Sequence, residues 1–267
     1  MSGSPYLALR LEAERLGDGS HRILCPFCNG GHSGELSLNL ISEKGVYGFR
    51  CYRASCGISG GTRVVTIHNK NCEARPFTRP TIIMDAAQRD AFRRQYGFAP
   101  SNARYAPDVD RYIYAVRDPL GALRGHIARS FSGATPKVLT YNEKPDQPFI
   151  GWAGAEINAP VIAVEDWVSA EKVHASGAAN SVALNGTFLS LDMVMEIQAV
   201  ASGRAVYLAL DRDAYPKAIK YATKFGELFR PRLRVMRLEV DLKYETFERI
   251  QSAVTNDNCD FTTRRAA

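Results

Sequence analysis

Two pairs of cysteines near the start of the chain constrain its fold more than any other feature. Cys25 and Cys28 are separated by two residues and Cys51 and Cys56 by four, with twenty-two residues between the pairs. Tetrahedral zinc takes four thiolates arranged as paired turns of this kind. Between the pairs, "GELSLNLI" and "GVYGFRC" alternate polar and apolar residues as short strands do. We therefore predict an antiparallel zinc ribbon over residues 1–62, in which a structural Zn²⁺ has all four positions filled.

Other interpretations of this region stay open. His32 could replace one cysteine as a zinc ligand or act as a polar turn residue, and the cysteines could be buried thiols without metal. Basic and aromatic residues around the cluster suit single-stranded nucleic acid, because cations bind phosphates and rings stack on bases. The same aromatic residues could instead fill a core that is too small to fold without metal.

The overall composition is that of a globular protein outside membranes. No stretch approaches the ~20 apolar residues that span a bilayer, and the first residues show no signal-peptide block. We therefore expect a cytoplasmic protein, in the host cytoplasm if a phage encodes it, in which Cys72 and Cys259 are unpaired thiols. The net charge of +6 favours a polyanionic partner, although many enzymes that bind no nucleic acid share it.

Residues 63–155 are predicted to contain a linker and a basic sheet. Residues 63–81 lose periodicity and gather Asn, Pro and Arg, which is typical of a linker. In residues 82–155, "DAAQRDAFRRQYGF" has helical spacing and "RYIYAVRDPLGALRGHIARS" predicts a hairpin around "DPLG". The polar face of the hairpin and its continuation presents Arg117, Arg124, Arg129, Lys137 and Lys144. Such a face either binds an anion or is a solvated basic surface, and charge alone favours neither.

Strands and helices alternate over residues 156–245. The predicted strands are "PVIAVE", "NSVALNG", "AVYLALDRD" and "RVMRLEVD", and the segments between them have helical spacing. This alternation predicts a parallel sheet with flanking helices, whose ligands bind beyond the carboxyl ends of the strands. Residues 246–267 are predicted to form a short helix and a polar tail.

Acidic residues follow three of these strands: Glu165, Asp211, Asp213 and Asp241. Residues i and i+2 of a strand project from one face, so Asp211 and Asp213 are predicted to share one space. Like charges this close repel unless a cation lies between them, and Mg²⁺ or Mn²⁺ takes carboxylates together with substrate phosphates. Alternatively, these acids are solvated at the ends of strands or cap helices, and capping a helix could be a second role for Asp213.

Three neighbouring charged residues are predicted to have no part in a metal site. Asp166 is predicted to be a helix N-cap, since it precedes "WVSAEKVHASG". Glu171 is predicted to be a solvated helix residue. Arg212 is predicted to point to the face opposite Asp211.

Several segments together resemble known domains. The segments "VIAVED", "VALNGT", "LALDRDA" and "DLK" resemble the TOPRIM domain, which primases, topoisomerases and some nucleases share. The stretch "YIYAVRDPLGALRGHIARSFSGATPKVLTYNE" is similar to the basic segment of bacterial and phage DNA primases. Zinc ribbon, basic segment and TOPRIM domain follow one another as in that family. The resemblance implies an α/β (α+β overall) fold: the ribbon, a mixed basic subdomain, and a Rossmann-like parallel sheet with flanking helices.

Carried over residue by residue, the resemblance implies three groups of functional residues. The zinc ligands are Cys25, Cys28, Cys51 and Cys56. The catalytic, magnesium-binding acids are Glu165, Asp211 and Asp213, with a looser match for Asp241. The nucleotide-binding and template-binding residues are Arg117, Arg129, Lys137, Lys144 and Lys243. Two positions depart from the family: Asp166 stands where it has glycine, and Ser169 where an acidic residue is frequent.

The resemblance also implies an activity and partners. A DNA primase makes short RNA primers on single-stranded DNA from ribonucleoside triphosphates, by phosphoryl transfer with two Mg²⁺ or Mn²⁺ ions. The sequence contains no GxxxxGK[ST] loop, so the expected partner is a separate replicative helicase. Two other functions stay open: a TOPRIM nuclease, and a non-catalytic recombination adaptor with a zinc finger and a TOPRIM domain. The family of adaptors lacks the basic segment, so that segment discriminates between them.

Overall fold

The computed structural model describes residues 5–63, 73–154, 156, 158–229 and 231–255, and of residues 32, 62 and 63 it describes the backbone alone. The possible ligand role of His32, most of the predicted linker, and the predicted polar tail therefore lie outside the described part of the chain. None of the described helices has both the length and the apolar character needed to cross a membrane.

Three sheets and six α-helices lie within the described residues. The helices are α1 (Pro5–Leu16), α2 (Ala86–Tyr96), α3 (Trp167–Ala175), α4 (Leu191–Ala201), α5 (Tyr215–Phe225) and α6 (Phe247–Thr255). The strands are β1 (Gly19–Ile23), β2 (Leu38–Glu43), β3 (Val46–Cys51), β4 (Ser59–Arg63), β5 (Ile82–Ile83), β6 (Arg104–Ala106), β7 (Arg111–Arg117), β8 (Leu123–Arg129), β9 (Val138–Asn142), β10 (Gly151–Ala153), β11 (Val161–Val164), β12 (Asn180–Ala183), β13 (Val206–Ala209) and β14 (Arg234–Val235).

The first sheet is an antiparallel ribbon in the order β1-β2-β3-β4. Leu38, Leu40 and Phe49 form its small buried core together with Leu9 and Ala13 of α1. Leu9 and Ala13 are one helical turn apart, so α1 contributes a single narrow apolar stripe. Such a stripe is too weak a periodic signal to predict the helix from the sequence.

The second sheet is antiparallel in the order β5-β6-β7-β8-β9 and contains the predicted hairpin as β7 and β8. Helix α2 begins at a capping box: the Gln88 amide donates to the Asp85 carboxylate at 2.8 Å, and the Asp85 amide donates to the Gln88 side chain at 3.0 Å. The helix ends at Gly97, whose φ of 75° favours glycine. Local signals of this kind make the helix predictable.

The third sheet has the order β10-β12-β11-β13-β14, in which β10 is antiparallel and the other strands are parallel. Ile162 and Val164 belong to an apolar core with α3, whereas Val161 and Ala163 belong to one with α4 and α5. Burial on both faces explains why these strands are continuous apolar runs. The ribbon, the mixed subdomain and the helix-flanked parallel sheet confirm the predicted fold class.

The ribbon packs against the helical layer on one face of the parallel sheet. Ile41 and Val46 of the ribbon share an apolar core with helices α4 and α5. A Cβ atom at Gly61 would clash with the Tyr47 carbonyl oxygen of the neighbouring strand, so the ribbon's own backbone requires glycine there; it would also lie 2.6 Å from Cε of Met195 on α4. Across the same contact, Arg50 donates to the Phe229 carbonyl at 3.2 Å. Arg50 therefore helps to hold the ribbon against the helical layer.

Some charged residues predicted to be exposed are buried, Glu171 and Arg124 among them. Glu171, predicted to be solvated, is 5% exposed, and the hydroxyl of Tyr114 bonds to its carboxylate. Arg124, predicted on the basic face of the hairpin, is 6% exposed and donates to both carboxylate oxygens of Glu196, at 2.9 and 2.7 Å. Both predictions are wrong because neighbouring elements pack over these side chains. The spacing of residues in the sequence does not show which faces are packed over in this way.

Candidate functional site

The four predicted zinc ligands come together in the ribbon. The sulfur atoms of Cys25 and Cys56 are 3.9 Å apart, those of Cys28 and Cys51 are 3.8 Å apart, and all four lie within 4.8 Å of one another. A zinc ion with Zn–S bonds of about 2.3 Å requires sulfur–sulfur distances of about 3.8 Å in a tetrahedron. All four cysteines are free thiols. Their geometry therefore fits a tetrahedral Zn²⁺.

The two turns that carry the cysteines are joined by hydrogen bonds. Arg53, in the second turn, donates to the carbonyl of Gly30, in the first, at 2.7 Å. Gly30 has a φ of +66°, and a Cβ there would lie 2.4 Å from the Glu35 carbonyl oxygen, so only glycine fits. Arg53 is thus a structural tie between the turns.

The aromatic residues of the ribbon divide between the core and the surface. Tyr47 and Phe49 are 2% and 1% exposed and belong to the core, as in the second of the two interpretations left open. Tyr52 is 38% exposed, and the Arg22 guanidinium lies 3.8 Å from its ring centroid. Arg22 and Tyr52 therefore form a surface pair of the cation and ring type that binds single-stranded nucleic acid.

Glu165 and Asp211 lie at the carboxyl edge of the parallel sheet. Strand β11 ends at Val164 and strand β13 at Ala209, and these two residues are paired in register. Glu165 follows β11 directly, and Asp211 comes two residues after β13. Asp241, predicted to end a strand, does not do so, because β14 ends at Val235; it precedes a 3₁₀ turn, Leu242–Tyr244. Parallel pairing thus brings residues far apart in sequence to one edge.

Lys243 lies at the centre of these acids. Its ammonium group is 2.8 Å from Asp211, 2.9 Å from Asp166 and 3.2 Å from Asp241, and the residue is 6% exposed. Although burial acts against the charged form, the carboxylates raise the pKa of Lys243 above its ordinary value. The lysine implied to bind nucleotide or template is therefore an internal counterion of three aspartates.

Asp166 caps helix α3, and it also belongs to the charged cluster. One carboxylate oxygen accepts from the Ser169 amide at 2.9 Å, and the other lies 3.5 Å from the Arg129 guanidinium as well as beside Lys243. Although burial acts to raise it, the pKa of Asp166 is lowered by Lys243 and Arg129. The sequence predicts the cap but misses the ion pairs, because Lys243 is 77 residues away.

Unlike Asp166, Asp211 and Asp241, Glu165 forms no ion pair with a cation among the described residues. Burial, together with the charges of Asp211, Asp166 and Asp213, raises its pKa to about 7. Its Oε2 atom is buried and has no hydrogen-bond partner among the described residues. Burial also raises the pKa of Asp211 to about 6, although Lys243 opposes the shift. A buried carboxylate oxygen without a partner is costly, and a cation at this edge would remove that cost.

Asp213 is placed differently from the prediction. Strand β13 ends at Ala209 and Arg212–Ala214 form a 3₁₀ turn, so the alternation of a strand does not reach Asp213. Its side chain is exposed, and no described side chain caps helix α5. The strand alternation used to predict a shared space is therefore absent, although the charges of Asp211 and Asp213 both help to raise the pKa of Glu165.

The acids fit a divalent cation by chemistry, with Glu165 as the clearest donor. Carboxylate oxygens are the ligands that Mg²⁺ and Mn²⁺ prefer. Among the described residues, however, the cysteines alone bring three or more potential ligand atoms within reach of one ion, and Lys243 lies between Asp211 and Asp241. The residues that could hold an ion are Glu165 and Asp211, with Asp213 exposed beside them.

Of the remaining predicted basic residues, Arg117, Lys137 and Lys144 lie on the surface, whereas Arg129 is buried. Arg117 donates to the Gly121 carbonyl within the hairpin turn at 2.8 Å, and Lys137 and Lys144 are exposed. Their roles toward nucleotide or template stay predictions. Arg129 is 5% exposed and is engaged by Asp166.

A cavity of about 510 Å³ opens beside the acidic edge, next to the 3₁₀ turn that follows Asp211. It is lined by Arg212, Tyr215, Pro216, Arg237, Leu238 and Glu239. The Arg237 guanidinium lies 5.9 Å from the Tyr215 ring centroid, and both arginines are exposed. Arg212, predicted to be uninvolved, thus lines a cavity adjoining the candidate site.

Cys28→Ser should deprive the protein of its zinc, because three sulfurs hold the ion less tightly than four. We expect about one zinc ion per wild-type chain by atomic absorption and clearly less in the variant. The near-UV circular dichroism of the ribbon aromatics should weaken in parallel, since their core is small without metal. Cys72→Ser, which changes a cysteine outside the pairs, should keep the zinc. Full zinc occupancy in Cys28→Ser would refute the four-sulfur site.

Glu165→Gln should stabilise the protein at alkaline pH in the absence of divalent ions. A carboxyl whose pKa rises from 4.5 to about 7 on folding costs stability as the pH rises through that interval, and costs none below it. After allowance for solvent screening, we expect the free energy of unfolding to increase by ~1–2 kcal/mol at about pH 8 and to be unchanged at about pH 4. Urea melts measure both values. Exposed Glu35→Gln is the control, and an unchanged variant at the higher pH would contradict the prediction.

Comparison with known proteins yields one sequence relative and several solved structures. No protein-family model matches the chain. The "Twinkle homolog protein, chloroplastic/mitochondrial" of Arabidopsis thaliana is 43% identical over 56 residues, which are 20% of this chain and 8% of that protein. The chain thus matches only a small part of that relative.

The similar solved structures are primase domains. A DnaG primase catalytic domain bound to single-stranded DNA has a TM-score of 0.46 and 20% identity, over 55% of this chain and 51% of that chain. The zinc-binding and RNA polymerase domains of the Aquifex aeolicus primase give 0.43 and 18%, over 59% and 40% of the two chains. The E. coli primase catalytic core gives 0.41 and 19%, over 63% of each chain. The chain covers between 40% and 63% of the length of these three solved chains.

Proposed function

We propose that this chain is a DNA primase, a nucleotidyltransferase that synthesises short RNA primers on single-stranded DNA. The observation that carries the proposal is the acidic edge, where Glu165 has a buried carboxylate oxygen without a partner beside Asp211. An edge of this kind is suited to a divalent cation and a phosphate-bearing substrate. The four-sulfur zinc site and the order of the three sequence segments add support.

In the proposed mechanism, Glu165, Asp211 and Asp213 would hold Mg²⁺ or Mn²⁺, which would supply Lewis-acid stabilisation of charge on the reacting phosphate. Lys243 holds Asp211 at 2.8 Å, so that this carboxylate does not need to reorganise when substrate binds. Arg129 acts through Asp166, which it helps to orient. Lys137, Lys144 and Arg117, all exposed, contact the template backbone by charge.

We propose that the cavity beside Asp211 receives the triphosphate of a ribonucleotide. Arg212 and Arg237 offer guanidinium groups, which bind phosphate oxygens in pairs, and Tyr215 offers a ring for stacking. The surface pair Arg22 and Tyr52 gives the ribbon one contact for a template base. We further propose that the protein works with a separate replicative helicase and lies in the cytoplasm.

The two alternatives differ from primase in measurable ways. A TOPRIM nuclease would use the same acids to cleave a phosphodiester bond, and a non-catalytic adaptor would bind DNA without chemistry. Incubation with single-stranded DNA, labelled ribonucleotides and Mn²⁺ separates the three, because only a primase lengthens RNA. Sequencing of the products then identifies the template bases at which primers start.

Asp211→Asn should reduce dinucleotide synthesis by about 100-fold or more, because it removes the charge of a proposed metal ligand. Binding of single-stranded DNA, measured by fluorescence anisotropy, should change by less than about twofold, since base and phosphate contacts lie elsewhere. Asp90→Asn, on the exposed face of α2 where it pairs with Arg93, is the matched control. Undiminished synthesis by Asp211→Asn would overturn the assignment.

Arg212→Ala and Arg237→Ala should each raise the KM for ribonucleoside triphosphate about tenfold and affect kcat less, because each removes one charge-assisted contact. Steady-state kinetics at saturating template measure both constants. Arg232→Ala is the control, since that side chain is 62% exposed and pairs with Glu227. Unchanged KM values in both cavity variants would exclude the cavity as the triphosphate site.

A further inference from the structure

Helix α5 carries three lysines on one side, Lys217, Lys220 and Lys224, which we call the lysine row. They lie within about 60° of one another around the helix axis, because 3.6 residues make one turn. All three are exposed, whereas Ala218 and Phe225 of the same helix are buried in the apolar core. The helix contains no acidic residue. It therefore presents a positive stripe that it does not itself neutralise.

Two members of the lysine row have no carboxylate partner in the part of the chain that the structure describes. Lys217 donates to the Thr187 hydroxyl at 2.8 Å, which is a neutral partner, and it forms no ion pair with Asp213, four residues before it. Lys220 forms no ion pair with any described side chain. In contrast to the arginines that hold the ribbon in place, these two lysines keep their charge for a ligand.

One end of the lysine row lies at the acidic edge, beside an exposed aromatic residue. Thr187 belongs to the loop after β12, and the Gly186 amide of this loop donates to the Glu165 carbonyl oxygen at 3.0 Å. Phe188 follows Thr187 and is 54% exposed, although the next residue, Leu189, is buried. An exposed ring is a surface on which a nucleic-acid base can stack. The loop therefore adds a stacking surface next to the lysine row.

The other end of the lysine row reaches the ribbon. The Lys224 ammonium is 2.9 Å from Glu43 at the end of β2, but the lysine side chain is 49% exposed. Ion pairs on the surface are weak, so a phosphate can compete for this lysine. Along the helix, Lys217 and Lys224 are about 10 Å apart, which corresponds to about three nucleotides of one strand at ~3.4 Å each. A strand along the row would thus connect the ribbon with the acidic edge.

We propose that single-stranded DNA lies along the lysine row, with its phosphates on the three ammonium groups and one base stacked on Phe188. Cations beside an aromatic ring are the combination that binds a single strand, because its phosphates and its unpaired bases are both accessible. The bases of a duplex are stacked on one another and leave Phe188 unused. This inference rests on the proposed function for its partner. It adds a surface to the one that the resemblance implies, which lies in the basic segment.

The test measures binding of a labelled oligodeoxythymidine to the zinc-loaded full chain by fluorescence anisotropy at several salt concentrations. The double variant Lys217→Ala, Lys220→Ala should bind about tenfold more weakly at ~0.1 M salt. The slope of log affinity against log salt should fall by about 1.4, because each phosphate contact of a single strand contributes about 0.7. Lys217→Arg with Lys220→Arg should keep both the affinity and the slope. Arg10→Ala with Arg93→Ala, which removes two cations that pair with acids on their own helices, should change the affinity by less than about twofold.

The aromatic contact is tested by substitutions of Phe188. Phe188→Ala should weaken binding of the same oligonucleotide about tenfold and leave the salt slope unchanged, because stacking releases no counterions. Phe188→Tyr should bind as the wild type does. Binding of a duplex of equal length should be the same in the wild type and in Phe188→Ala. Zinc content and the thermal melt report whether each variant folds.

Three results would overturn the inference: an unchanged salt slope in the double lysine variant, equal weakening by the double arginine control, or wild-type binding by Phe188→Ala. Primer synthesis by the wild type is measured separately. If primers are made and the lysine variant binds DNA as the wild type does, the lysine row is rejected and the proposed function stands. If the variants bind DNA as expected and no primers are made, the reverse holds.

Discussion

The acidic edge depends on the ion pairs between the Lys243 ammonium and three aspartates. Asp166 and Asp211 meet at that edge because the paired strands β11 and β13 end together, and the turn at Leu242–Tyr244 adds Asp241. Their charges would repel one another in a half-buried place. Lys243 offsets them together with Arg129, whereas Glu165 has a buried carboxylate oxygen with no hydrogen-bond partner in the described part of the chain. The electrostatic cost of the edge therefore falls largely on Glu165.

The basic residues of this chain serve the fold as much as any partner. Arg50 binds the ribbon to the helical layer, Arg53 joins the two zinc-binding turns, and Arg124 is held by Glu196. A net charge of +6 is consequently a poor guide to which cations are available to a nucleic acid. The exposed pairs at the surface, Arg22 with Tyr52 and Arg237 with Tyr215, are better candidates because their guanidinium groups lie beside rings in reach of a ligand.

The parts of the site that sequence predicts well are those defined by local chemistry. Cysteine spacing predicts a four-sulfur site because the ligands come as two short turns, and Asp166 is predictable as a cap because it directly precedes α3. Predictions fail where a distant element intervenes. Tyr114 bonds to Glu171, and Lys243 bonds to Asp166. Each contact joins residues that have no periodic relation in the sequence.

The sequence by itself determined the zinc-binding spacing, the alternation of strands and helices, and the arrival of acids after the strands, because these follow from turns, periodicity and chain order. Only the tertiary structure decided how the acids are used. The chain turns after Ala209, which places Asp213 in a 3₁₀ turn instead of a strand, and the turn after Asp241 brings Lys243 among the aspartates. Charge compensation is a property of distances in space, and no pattern along the chain encodes it.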